Sequence, residues 1–284
     1  MPGPISTRPV TVSPVATPAA PPRTFDVASV TAQELAKLKQ SSPSLAKTIE
    51  TAKATYADAL RAGARLTVTT TAANGGAPVL TLVPPGFDPK KPATVHTHFH
   101  GDLTSVAAAN GSHTGNIKEQ LGRDPQRVFV LPEAQGNVGG SGTNWNNVKD
   151  QAGTVRDALA GAGAIPAGGT TYVVSAHSAG GRALAAAMKA PSTLQADQLV
   201  LLDCLYESNT GPGANTAILN AVKAGALQDV KDVVIVATGS YPADRDAKLR
   251  EAGGGKVRME ALVPRPGLSN HEASARNHLV PRPR

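Results

Sequence analysis

The sequence predicts an α/β protein with a mostly parallel eight-stranded sheet and helices on both faces. Beyond Pro92, short runs of β-branched and apolar residues alternate with segments of helical length, which is the pattern of strands joined by crossover helices. The turn sequence Asn74-Gly75-Gly76 lies between two earlier strand-like runs and predicts an antiparallel hairpin before the parallel strands. Hydrophobic residues make up 40% of the 284 residues, enough to bury the core of one large domain.

The chain is expected to divide into three parts. Residues 1–24 form a predicted disordered leader, because proline recurs through them and blocks both helix and central strand. Residues 25–63 form a predicted helical segment, in which Thr31 and Glu34 have the spacing of a capping box. Residues 64–284 form the predicted α/β domain.

The predicted elements of that domain follow from the period of the apolar residues. Strands are expected at 65–71, 77–83, 93–99, 127–131, 170–176, 198–203, 233–238 and 256–263. Helices are expected near 114–121, 149–161, 179–189, 214–225 and 243–252.

Composition excludes several classes of protein and of partner. The net charge is +7, but no basic stripe with interleaved aromatics is present, so a nucleic-acid partner is not expected. No apolar run has the roughly 20 residues that a membrane helix needs. The single cysteine, Cys204, cannot form an intrachain disulfide. Residues 1–22 lack the apolar stretch of a signal peptide, so the compartment stays open between cytoplasm and export by another route, as does the oligomeric state.

A serine with small neighbours lies between a strand-like and a helix-like segment, in the run Ala176-His177-Ser178-Ala179-Gly180-Gly181. This pattern is typical of the strained turn called a nucleophile elbow, with Ala176 where glycine is usual. Such a turn lifts the serine Oγ clear of the sheet and points a helix N-terminus at developing negative charge. The run predicts that Ser178 is a nucleophile, and the alternative is a helix start without chemistry.

The segment 95–102 has histidine at every second position and supports two hypotheses. In the first, it is a strand that runs into a loop at Gly101. The backbone N–H of Asp102 or Leu103, together with that of Ala179, would then bind the oxyanion of an acyl-transfer reaction.

In the second hypothesis the same segment binds a metal ion. His96, His98 and His100 share one face of a strand. The run His98-x-His100-x-Asp102 resembles the His-x-His-x-Asp-His signature of metallo-β-lactamase-like hydrolases. However, Leu103 stands where the last histidine belongs, and no downstream histidine has a recognisable spacing. The first hypothesis is therefore preferred, and no metal or other cofactor is expected.

The element order and two motifs resemble the α/β-hydrolase fold. An antiparallel hairpin followed by six strands joined by helices matches its eight-stranded sheet, and Ser178 follows the predicted fifth strand. His100-Gly101 corresponds to the His-Gly pair that many of these proteins carry in the oxyanion loop. The resemblance covers residues 64–284 and implies a triad in the chain order Ser, Asp or Glu, His.

The resemblance leaves two candidates for each remaining triad member. Asp203 ends a buried strand, where an uncompensated carboxylate is costly, whereas Asp244 follows the next strand and opens a helix-like run. We prefer Asp203 as the acid. His271 and His278 both follow the last predicted strand, and His278 is slightly preferred as the base because the proline after it would fix its loop.

A long Gly/Asn-rich loop, residues 132–145, follows the fourth strand of the domain and contains the only tryptophan, Trp145. It lies on the side of the sheet where ligands bind in open α/β folds. Trp145 is therefore a candidate wall of the substrate site, and an ordinary exposed loop is the alternative.

These expectations combine into a serine hydrolase that cleaves a carboxylic ester of a small molecule or polymer through an acyl-enzyme. An amidase or peptidase with the same triad is one alternative. A metal-dependent hydrolase built on the histidine segment is another, and a non-catalytic binding module is the third.

Overall fold

The computed structural model describes residues 21–101, 112–134, 145, 147–188, 194–205, 214–225, 227–236, 238 and 243–280. Its strands are β1 (Arg23–Asp26), β2 (Arg65–Thr70), β3 (Pro78–Val83), β4 (Thr94–Phe99), β5 (Arg127–Pro132), β6 (Thr171–His177), β7 (Gln198–Leu202), β8 (Asp232–Val236) and β9 (Val257–Glu260). Its α-helices are α1 (Ala32–Ser41), α2 (Pro43–Thr55), α3 (Ala57–Arg61), α4 (Ser112–Arg123), α5 (Gln151–Gly161), α6 (Gly181–Met188), α7 (Ala214–Lys223), α8 (Ala243–Gly253) and α9 (Asn270–His278).

The strands form one sheet in the order β1-β2-β3-β5-β4-β6-β7-β8-β9. Three pairings are antiparallel: β1 with β2, β2 with β3, and β3 with β5. The remaining pairings, which join β5, β4, β6, β7, β8 and β9 in that order, are parallel. The predicted α/β class with a mostly parallel sheet is therefore confirmed.

The strand β1 adds a ninth member to the predicted eight. It pairs antiparallel with β2 from Arg23↔Thr70 to Asp26↔Thr67, although the sequence analysis placed its residues in the leader and the helical segment. Four residues after a proline pair show no alternating pattern of their own, and pairing on one side only is enough to order so short an edge strand.

The sheet separates two hydrophobic layers because side chains alternate along each strand. Phe129 and Leu131 of β5 pack into the layer that contains α1, α2, α4 and α9, which we call the α9 face. Val128 and Val130 pack on α5 on the other side, where α6, α7 and α8 cover the later strands. In the described part of the chain, no helix combines the length and apolar character that crossing a bilayer requires.

The predicted hairpin between β2 and β3 is present. Gly75 and Gly76 have φ values of 58° and 80°, a left-handed backbone that glycine adopts at little cost. The side chain of Asn74 is buried and donates from Nδ2 to the carbonyl of Ala77 at 3.1 Å. The glycines therefore provide the backbone conformation of the turn, and the buried Asn74 side chain has a hydrogen-bond partner within it.

The turn between β6 and α6 packs directly on the end of β4. Residues Ser178–Gly180 form one turn of 3₁₀-helix. A Cβ built on Gly180 would lie 2.2 Å from the carbonyl oxygen of Phe99 and 2.8 Å from that of His100. Only glycine therefore allows the turn to approach the β4 backbone this closely.

We expect Gly180→Ala to lower the free energy of unfolding by about 1–3 kcal/mol, because the methyl group forces two backbone segments apart. The measurement is chemical denaturation followed by circular dichroism. Gly168→Ala is the matched control, since a Cβ at Gly168 meets nothing within 4 Å. Equal effects of the two substitutions would contradict the close approach.

Candidate functional site

Ser178 follows β6 in a strained backbone conformation. Its φ is 52°, in the left-handed region that residues with a Cβ avoid and that occurs in functional turns. The residue is partly exposed, whereas the five residues before it, 173–177, are buried. The turn therefore holds the serine side chain at the carboxyl edge of the sheet.

Asp203 occupies the matching position on the neighbouring strand. In the parallel pair of β6 and β7, His177 is opposite Leu202, so Ser178 and Asp203 each follow the last paired residue. Asp203 also has a positive φ, 44°, and its N–H donates to the carbonyl of Val236 at 2.9 Å. Two strained residues thus lie side by side at the sheet edge.

The Asp203 carboxylate forms a hydrogen bond with His271. The distance from Oδ2 to Nδ1 of His271 is 2.5 Å, and an ionised carboxylate can only accept, so Nδ1 carries the hydrogen. The carboxylate is 2% exposed and the His271 side chain 37%. The pair therefore joins a buried acid to a ring that reaches solvent.

The start of α9 places His271. Ser269 caps the helix and accepts a bond from the N–H of Glu272, whose carboxylate in turn accepts from the N–H of Ser269. This capping box fixes the first turn, in which His271 is the second residue. The bonds from Ser269 hold the pKa of Glu272 below its ordinary value.

His177, the residue before the serine, contacts the same histidine. Its Nε2 lies 3.0 Å from the carbonyl oxygen of His271, and the two rings are tilted with centroids 4.5 Å apart. Burial, and then the neighbouring His271, lower the pKa of His177 from 6.5 to about 4. The His177 ring is therefore neutral at neutral pH.

Gly101 lies directly against Ser178. A Cβ at this position would be 2.9 Å from Cβ of Ser178 and 3.2 Å from Nδ1 of His177. Asp102 and Leu103, whose N–H groups are predicted oxyanion ligands, lie outside the described residues. Ala179, which would supply the other N–H, is the second residue of the turn after β6.

His100 connects Gly101 to a buried acid. Its Nδ1 lies 2.7 Å from the carbonyl oxygen of Gly101, and its Nε2 lies 2.9 Å from Oε1 of Glu133. Both His100 and Glu133 are buried. Through His100, the carbonyl of Gly101 is therefore linked to Glu133, directly before the predicted oxyanion ligands in the chain.

Trp145 does not form an exposed wall of the site. It is 2% exposed and packs edge-on against Phe99 and at a tilt against His100, with ring centroids 5.4 Å and 4.8 Å away. The expectation that Trp145 is a wall of the substrate site therefore finds the ring buried against Phe99 and His100.

His278, the preferred base of the sequence analysis, is held elsewhere. Its Nε2 accepts from the N–H of Val263 at 3.0 Å, and its Nδ1 lies 3.1 Å from Oε2 of Glu260. It is 2% exposed, and its bonds join the end of α9 to β9. The structure brings His271 to Asp203, whereas His278 is engaged with Glu260.

The other acid candidate, Asp244, lies in the first turn of α8. Its side chain lies outside the part of the chain that the structure describes.

The histidines of β4 do not converge on a common metal position. Nε2 of His96 and Nδ1 of His98 each lie 2.8 Å from Oγ of Ser175. His100 faces Gly101 and Glu133 instead. Among the described residues, no group of three or more His, Cys, Asp or Glu side chains could hold a metal ion, and Asp102 of the metal hypothesis lies outside them.

Sequence reasoning did not single out the roles of His177 and Glu133 in this arrangement. The alternation along β6 places His177 on the α9 face, where His271 also lies. Its position directly before Ser178 in the sequence could therefore have pointed to it. Glu133 directly follows β5 and carried no such signal, because its contact depends on the packing of His100.

Comparison with known proteins adds similar folds at low sequence identity. No family model matches the chain, and no curated protein matches its sequence. The apo form of Thermogutta terrifontis esterase 2 is 16% identical with a TM-score of 0.45, over 66% of this chain and 78% of that one. An S-formylglutathione hydrolase from Agrobacterium tumefaciens is 13% identical with a TM-score of 0.48, over 76% and 91%. An alpha-beta serine hydrolase homologue from Coxiella burnetii is 14% identical with a TM-score of 0.45, over 72% and 91%.

These proteins are similar to the chain in fold only. The topology of the chain itself identifies that fold. An antiparallel pair precedes a parallel sheet with helices on both faces, and a serine with positive φ lies between β6 and α6. On these features, the chain has the fold of the α/β-hydrolase superfamily.

Proposed function

We propose that this protein is a serine hydrolase that cleaves a carboxylic ester, with Ser178 as nucleophile, His271 as general base and Asp203 as the acid that orients the base. The observation that carries the proposal is the hydrogen bond between Asp203 and His271 at the sheet edge where Ser178 lies. A serine hydroxyl is a weak nucleophile at its free pKa and needs such a base.

The order of events follows from these roles. Ser178 Oγ attacks the ester carbonyl while Nε2 of His271 takes its proton, which forms a C–O bond and a tetrahedral oxyanion. The N–H of Ala179, with that of Asp102 or Leu103, would bind the oxyanion. The protonated base then gives its proton to the leaving alkoxide. Water, deprotonated by the same base, attacks the acyl carbonyl; the bond to Ser178 Oγ breaks, the base returns the proton to Oγ, and the carboxylic acid is released.

The bond to Asp203 fixes which nitrogen of His271 is free for this chemistry. Nδ1–H points to the carboxylate, so the neutral ring carries its lone pair on Nε2. The buried carboxylate also stabilises the imidazolium that forms when the ring takes the serine proton. Asp203 thus serves both orientation and charge stabilisation without changing its own protonation.

Gly101 supports the assignment of the oxyanion loop. A Cβ at this position would lie 2.9 Å from Cβ of Ser178, so no side chain fits between the two residues. An amide or peptide bond would be cleaved by the same parts. The substrate tests therefore include both bond types.

We expect purified protein to react with a fluorophosphonate probe at Ser178, because an activated serine attacks phosphorus as it attacks a carbonyl. The measurement is mass spectrometry of the labelled peptide, followed by a screen of p-nitrophenyl esters and anilides. Ser178→Ala is expected to abolish labelling, and Ser175→Ala, at a buried serine of β6, is the matched control. Folded wild-type protein that remains unlabelled would contradict the serine mechanism.

We expect His271→Ala to lower the rate of labelling by about 10²–10⁴-fold, because the general base is lost. His278→Ala is expected to keep the labelling rate of the folded protein while it lowers the free energy of unfolding by about 1–3 kcal/mol, since Val263 N–H and Glu260 lose a buried partner. Labelling rates and urea titrations of both variants measure this. The reverse pattern would restore His278 as the base.

We expect Asp203→Asn to slow labelling by about 10²-fold or more, because an amide no longer holds His271 in the productive tautomer. Asp244→Asn, the other candidate acid, serves as the comparison and is expected to label at the wild-type rate. The measurement is the pseudo-first-order rate of fluorophosphonate labelling at several probe concentrations. A loss confined to Asp244→Asn would assign the acid to α8.

A further inference from the structure

We propose that His177 is a positioning residue for the base: as a neutral imidazole with its hydrogen on Nε2, it holds the backbone and ring of His271 in place. The inference rests on the proposed function, in which His271 is the base. It concerns a residue that the triad itself does not require.

The hydrogen bond fixes the tautomer of His177. The carbonyl oxygen of His271, 3.0 Å from Nε2, can only accept, so Nε2 carries the hydrogen. Nδ1 is buried and has no hydrogen-bond partner among the described residues, so nothing there stabilises a second ring proton. The lowered pKa of about 4 agrees with a ring that stays neutral.

The surroundings of the ring explain why neutrality matters. The ring contacts His271 of α9 and lies near Asp203, the residue after β7. It also lies near His100 and Gly101, which follow β4. Burial and then the His271 ring oppose a charge on His177 most strongly. The bond to the His271 carbonyl and then the Asp203 carboxylate favour a charge, and His100 opposes it least. A charged His177 would repel the imidazolium that His271 becomes during the reaction. The neutral ring avoids this repulsion and still donates its bond.

The bond also determines the distance between nucleophile and base. His177 is the last residue of β6 and directly precedes Ser178, whereas His271 lies on α9, 93 residues further along the chain than Ser178. One side chain therefore ties the first turn of α9 to the backbone that carries the serine. Ser274 Oγ donates to the same carbonyl at 2.6 Å, so the His271 carbonyl is held from both sides. A displacement of about 1 Å between reacting groups costs about 10²-fold in rate.

The first experiment separates the hydrogen bond from ring packing. His177→Phe keeps a flat ring but removes the donor, and His177→Gln keeps an N–H donor. We expect the maximal labelling rate at Ser178 to fall about tenfold or more in the Phe variant, with an unchanged half-saturating probe concentration, and to stay within about threefold of wild type in the Gln variant. His96→Phe is the matched control, since His96 is also buried but bonds to Ser175, and its folded fraction is expected to label normally.

Each outcome decides the proposal. A Phe variant that folds and labels at the wild-type rate would overturn it while the serine mechanism stands, as would equal losses in the Phe and Gln variants. Wild-type protein without labelling at Ser178 would remove both the proposed function and this inference.

The second experiment needs no variant to be active. Imidazole ¹⁵N spectra of wild-type protein at pH 6, assigned by the signals absent from His177→Gln or, if that variant does not fold, from His177→Asn, report the tautomer directly. We expect a protonated Nε2 and a bare Nδ1 for His177, unchanged down to about pH 5 because its pKa is about 4. A hydrogen on Nδ1, or a ring that is charged at pH 6, would overturn the proposal.

Discussion

Backbone strain at two adjacent strand ends organises this structure. Ser178 and Asp203 are the residues other than glycine with positive φ in the described part of the chain, and they follow opposed positions of β6 and β7. Such conformations cost about 1–3 kcal/mol each and persist only where the surroundings impose them. Here the surroundings are the parallel register, which lines up the strand ends, and the close packing of Gly180 on β4.

The α9 face supplies the rest of the site through ordinary core packing. Ala275 and Leu279 bury the inner side of α9 against the sheet, and His278 ties its end to Glu260 and Val263. The first turn is consequently presented above the strand ends, where His271 meets Asp203. Asn116 of α4 adds a bond from Nδ2 to the carbonyl of Arg276 at 2.7 Å. These buried polar contacts thus fix the position of α9, and its exposed first turn carries the ring of His271.

The features that the sequence predicted are those determined by residues close together in the chain. The parallel strands were predictable because continuous apolar runs such as 199–202 and 233–236 are buried on both faces. The Ser178 turn was predictable from its small neighbours. The choice between His271 and His278 was not, because both follow β9 and only the docking of α9 decides which ring meets Asp203. β1 and the burial of Trp145 likewise depend on partners far away in the chain.

The two members of the Asp203–His271 pair differ in burial, and therefore in their contact with water. A carboxylate that is 2% exposed loses most of its hydration, and an unpaired charge there would cost several kcal/mol. The bond to His271 offsets that cost. The bond therefore stabilises the buried carboxylate and also fixes the orientation of the ring. His271, at 37% exposure, keeps contact with solvent. The same geometry that stabilises the buried charge therefore leaves the His271 side chain partly accessible to solvent.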